Sequence, residues 1–104
     1  MSEYKPGSEG EIISETHEEV TEPPMYKVML INDDYTTMEF VVEILVHVFH
    51  KSAEDATQIM LNVHRAGFGL CGVYPYEVAE IKVDTVHVLA KEAGFPLKCT
   101  MEKE

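Results

Sequence analysis

Apolar side chains recur along this chain with two different spacings, and the switches between them mark out six elements. Tyr26 to Ile31 is a run of residues that suit a pleated, half-buried to fully buried strand. From Met38 to Phe49 the apolar positions fall at helical spacing and leave Glu39, Glu43, His47 and His50 as one polar stripe. A second helix opens at Ser52, whose hydroxyl can cap it with Asp55 in a capping-box spacing. It presents Ala56, Ile59, Met60, Val63 and Gly67 on one face and ends at Gly67. Phe68 to Tyr74 is short, apolar and interrupted by Gly69 and Gly72, as in a buried strand with a bend or a close backbone approach. Pro75 suits the first position of a third helix, whose buried side is Val78, Ala79, Val83, Val86, Leu89, Ala90 and Ala93 and which Gly94 stops. Pro96 blocks any return to helix, and Leu97, Cys99 and Met101 alternate in a last strand. The order β-α-α-β-α-β predicts an α+β fold: a small three-stranded antiparallel sheet with three helices packed on one face.

The stretch before these elements changes the domain count. Residues 1–22 carry a run of glutamates against the single Lys5, with only Ile12, Ile13 and Val20 as aliphatic side chains. Such a segment cannot bury enough surface to offset its ordering entropy, so a disordered acidic extension is expected over 1–22 and one folded domain over 23–104. The net charge of -11 over 104 residues argues against a nucleic-acid partner. No window approaches the roughly 18 apolar residues needed to span a membrane, and no basic amphipathic helix is present to lie on one. The start has neither a secretory nor a transit-peptide pattern, which places the protein in the cytoplasm. Two cysteines, Cys71 and Cys99, fit buried reduced thiols there, in strands that could be neighbours.

The candidate chemistry gathers at Asn32-Asp33-Asp34, where the first strand runs into a carboxylate cluster and the cluster runs into a helix. Asn and Asp bond local amides in turns, and Thr36 or Thr37 can cap the helix, so a plain strand-to-helix turn is one reading. The other is an acidic rim beside an apolar pocket. If the first two helices pack antiparallel, His64 and Met60 come to lie beside Asn32, Asp33, Asp34 and Met38, over a floor of Met38, Val41, Met60 and Val63. Methionines adapt to varied apolar ligands. Three enzymatic or metal readings compete. A thiol hydrolase would use Cys71 with His64, but an apolar strand makes a thiol inert. A metal site would draw on His47 and His50 with His64 or His87, without thiolate support. Acid/base work by Asp33 and Asp34 is disfavoured because adjacent residues in an extended segment point to opposite sides. Nothing implies a cofactor.

Several stretches together carry a family resemblance: Asn32-Asp33-Asp34-Tyr35-Thr36 with Met38-Glu39-Phe40-Val41, Ala56 to Leu61 with His64, and Cys71-Gly72-Val73. Glu77-Val78-Ala79-Glu80 with Lys82, Pro96-Leu97 and Cys99 to Lys103 complete it. From about Pro23 to the C-terminus the chain resembles the ClpS family, the N-degron adaptors of the ATP-dependent Clp protease. The resemblance implies a non-enzymatic adaptor that binds the free N-terminus of proteins starting with Phe, Tyr, Trp or Leu and delivers them to the ClpA unfoldase of ClpAP. By position, it implies that Asn32, Asp34 and His64 bond the α-amino group and first peptide unit, with Asp33 in the same wall. Thr36, Met38, Val41, Met60, Val63 and Leu97 would line the side-chain pocket, Met38 acting as a gate against β-branched residues. Glu77 and Lys82 would dock on the N-terminal domain of the unfoldase, and the acidic extension would engage its ATPase. Two positions depart from the pattern: Thr37 stands where many members have proline, and Pro75 where a capping Thr is usual.

Overall fold

The computed structural model describes residues 22–104, so the acidic extension, apart from Glu22, lies outside the described residues. The elements are β1 (Met25–Ile31), α1 (Met38–His47), α2 (Ala53–Ala66), β2 (Phe68–Pro75), α3 (Tyr76–Ala93) and β3 (Lys98–Lys103). This is the expected order.

β1 is the central strand and pairs antiparallel with both others, giving the order β2-β1-β3. Alternation along the strands sends Val28, Leu30, Cys71 and Cys99 into a core with Val41, Ile44, Leu45, Val63, Val86 and Ala90 from the helices. Phe68, Leu70 and Lys98 are exposed on the opposite face, which the helices leave open. The register slips between Val28 and Met29, so that Cys71 is the extra residue of a bulge. The bulge lets Cys71 and Tyr74, three apart, both reach the helix side. Because β1 separates β2 from β3, the two cysteines are not on neighbouring strands, contrary to the sequence-based expectation. Both are free and buried.

Local chemistry sets the helix boundaries. Thr37 Oγ1 accepts from Phe40 N–H (3.1 Å) and Ser52 Oγ accepts from Asp55 N–H (3.1 Å), each satisfying an orphan amide of a first turn. α1 closes with Lys51 N–H bonded to Leu45 O (3.0 Å), which forces His50 to φ 58°, a left-handed position that glycine usually fills. Lys82 Nζ adds a bond to the carbonyl of Val48 (2.6 Å), placing a cation at the negative end of α1.

Two expectations for α3 are corrected. Pro75 pairs with Met25 as the last residue of β2 and then stands as the N-cap of α3, not its first helical residue. Its extended backbone (ψ 157°) prolongs the strand ladder up to the helix. Val78 is 40% exposed and Ala93 is exposed, because the buried stripe of α3 is the narrower one through Ala79, Val86 and Ala90.

Candidate ligand-binding site

The site is built from one turn and two helix ends. At the end of β1, Asn32 donates its backbone N–H to the carbonyl of Gly67 (2.9 Å). Gly67, at φ 94°, is the left-handed C-cap of α2, and its own N–H returns to Val63 O (3.0 Å). The C-terminal end of α2, with His64, is therefore fastened beside the Asn32 turn.

Asp33 folds that turn. Its Oδ1 accepts from the N–H groups of Tyr35 and Thr36, both at 2.7 Å, and its Oδ2 accepts from the Thr36 hydroxyl at 2.7 Å. Burial pushes the carboxyl up, but the bonds from Thr36 and Tyr35 outweigh it and hold the group below its ordinary 3.8. Asp33 is thus an ionised structural acceptor whose oxygens are occupied. Asp34 is exposed, and its carboxylate makes no side-chain hydrogen bond among the described residues. Asp33 thus makes the strand-to-helix turn, and Asp34 beside it lines the cavity.

Between the turn, the start of α1 and the end of α2 lies a cavity of about 230 Å³, lined by Asn32, Asp33, Asp34, Thr36, Met38, Val41, Met60, Val63 and His64. Val41 and Val63 are buried at its floor, Met60 is half-buried, and Met38 is 45% exposed. A dry cavity of about 150 Å³ holds a benzene ring, so this volume suits one large side chain. Nine of the ten residues expected at the pocket thus converge. The tenth, Leu97, is 4% exposed within the core and is not part of the lining.

Glu77 is exposed in the first turn of α3. Lys82 is half-buried: besides its bond to Val48, its ammonium sits 5.6 Å from the Tyr74 ring centre and 5.9 Å from that of Phe49. Its neighbours Val78 and Ile81 are exposed, at 40% and 65%.

The competing chemistries find no geometry. Cys71 is fully buried, burial pushes its thiol far up, and its Sγ donates to Gly69 O (3.9 Å). Burial likewise pushes Cys99 up to about 12. Such thiols stay protonated and out of reach of substrate. His87 accepts the backbone N–H of Cys99 on Nε2 (3.0 Å), tying α3 to the outer edge of β3, and among the described residues no three His, Cys, Asp or Glu side chains gather as a metal site. Nothing in the local sequence signals this bond or the Lys82 tie, since both partners come from other elements.

A small α+β domain with a compact cavity, apolar below and lined above by carboxylates, an amide and an imidazole, has the make-up of a ligand-binding module. Comparison with known proteins narrows the class. Residues 21–100 match the family described as ATP-dependent Clp protease adaptor protein ClpS. A Desulforapulum autotrophicum protein called ATP-dependent Clp protease adapter protein ClpS is 59% identical over 104 residues, covering both chains fully. One of the same name from Phenylobacterium zucineum is 53% identical over 109 residues, again with full coverage of both. Among solved structures, Agrobacterium tumefaciens ClpS2 bound to L-phenylalaninamide aligns with a TM-score of 0.77 at 44% identity, over 80% of this chain and 100% of that one. The chain belongs to the ClpS family of Clp protease adaptors. Among the described residues no helix is long and apolar enough to cross a membrane.

Proposed function

We propose that the cavity takes the N-terminal residue of a protein substrate, with a free α-amino group and a Phe, Tyr, Trp or Leu side chain, and that the chain hands such substrates to the ClpA unfoldase of ClpAP in the cytoplasm. The observation that carries this reading is the separation of roles at the turn: Asp33 is spent on the turn itself, while the side chains of Asp34, Asn32 and His64 line an apolar cavity and make no hydrogen bond among the described residues. In this reading Asn32, Asp34 and His64 bond the amine and the first peptide unit, Asp33 holds the wall, and Thr36, with its hydroxyl committed to Asp33, offers its methyl. Met38, Val41, Met60 and Val63 receive the side chain, with Met38 as the gate against β-branched residues.

Magnitudes fit an adaptor that must let go. Burying a Phe or Leu side chain contributes about 1.5–3 kcal/mol, and each hydrogen bond to a charged group about 1.5–3 kcal/mol. After the cost of association, affinity falls near micromolar, about -8 kcal/mol. No step of bond-making is required of the protein.

Docking on the N-terminal domain of the unfoldase is assigned to the exposed side of α3. Glu77 and the neighbouring Val78 and Ile81 would make the contact. Lys82, held internally, would support the surface more than reach from it. Residues 23–104 would act as the adaptor core and the preceding acidic segment as the extension engaging the ATPase. Reconstituted degradation of a Phe-initiated reporter by ClpAP tests the assignment. Turnover should require this protein and fall with Glu77→Arg while phenylalaninamide binding persists; unchanged turnover by the variant would remove α3 from the docking surface.

A further inference from the structure

The helix-free face of the sheet carries an apolar patch that begins one residue along β1 from Asn32, a lining residue of the cavity. Ile31 pairs with Phe68 and Met29 with Leu70, so four apolar side chains stand together on it. Phe68 is 53% exposed and Leu70 46%. A shallow hollow of about 580 Å³ runs past Ile31, Met29 and Phe68, with Lys27 and Glu102 at its far end. Exposed apolar side chains gathered in this way mark contact surfaces.

We propose that this patch is a second subsite, which binds apolar residues at about the third to fifth positions of the same substrate chain. The inference rests on the N-terminal-residue reading of the cavity. Its ground is continuity: Ile31 directly precedes Asn32, and Phe68 directly follows Gly67, whose carbonyl receives the Asn32 N–H. A chain whose first peptide unit lies between Asn32 and His64 next meets Ile31 and Phe68. At roughly 3.3 Å per extended residue, three more residues reach across to Leu70. A second copy of this protein is a poorer occupant. Its net charge of -11 would be repelled by an equal charge, and four side chains fall well short of the roughly 800 Å² per partner of a stable interface. The other way out crosses Met38 and Met60 toward Glu39, Val42 and Glu43.

The two routes separate in one competition experiment against a labelled Phe-initiated peptide. Unlabelled competitors are L-phenylalaninamide, a free Phe peptide with Leu-Val-Leu at positions three to five, and its twin with Gly-Ser-Gly there. The apolar peptide should bind about tenfold tighter than its twin, an increment that partial burial of two or three side chains readily supplies. Phe68→Ser should erase that gap, and Leu70→Ser should narrow it, with phenylalaninamide affinity unchanged in both. Equal binding of the two peptides overturns the proposal, as does a gap that survives Phe68→Ser or is erased by Glu39→Lys instead. Failure of phenylalaninamide to bind at all would overturn the cavity reading itself, and the subsite with it.

Discussion

The backbone N–H of Asn32 and the carbonyl of Gly67 lie 2.9 Å apart, and this bond joins the end of β1 to the end of α2 at the rim of the cavity. It depends on Gly67 holding φ 94°. A Cβ added there would meet nothing within 4 Å, so substitution costs backbone strain alone. Gly67→Ala should lose about 1–2 kcal/mol, lowering Tm by roughly 5–10 °C, and should weaken peptide binding as His64 shifts. A melt at the wild-type temperature would contradict this geometry.

Asp33 predicts an acid limit. Its native pKa lies below 3.8, so its contribution is fully present above about pH 4 and is lost as pH falls through the native value. Asp33→Asn should cost about 1–2 kcal/mol at neutral pH. In denaturant titrations between about pH 5 and pH 2 the variant should show a shallower loss of stability than wild type. Parallel curves would mean that the turn does not depend on the charge.

His50 sits at φ 58°, where a side chain is strained and glycine is not. His50→Gly relieves that strain at the cost of a more flexible unfolded chain, for a net gain of about 0.5 kcal/mol, or roughly 2–4 °C in Tm. Loss of stability would show that the imidazole makes a contact worth more than the strain.

Lys82→Met keeps the aliphatic stem but removes the donor to Val48 O. A loss of about 1–2 kcal/mol in chemical denaturation is expected, before any effect on unfoldase docking. Loss of delivery with full stability would instead assign Lys82 to the partner.

What could be read from the chain was what local chemistry decides. The caps at Thr37 and Ser52 bond amides three residues away, and Gly67 and Gly94 end helices in left-handed turns that favour glycine. Periodicity gave the element order, and the Asn32–Asp34 cluster pointed to the cavity that these residues line. Long-range packing was hidden. Lys82 finds its acceptor 34 residues away, and His87 meets β3 across the fold. Leu97 carried no mark to separate core from pocket. The bulge at Cys71 and the central placing of β1 depend on pairing that no single strand encodes.

The central claim is that the exposed carboxylate of Asp34 and its neighbours read a charged α-amino group above an apolar pocket. Fluorescence anisotropy of a labelled peptide starting with free Phe, beside its N-acetylated twin and an Ile-initiated version, tests it most directly. The account predicts near-micromolar binding of the free Phe peptide, a loss of well over tenfold on acetylation or in Asp34→Ala, and weak Ile binding that Met38→Ala restores. Equal binding of the free and acetylated peptides would contradict it and leave the acidic cluster as a turn alone.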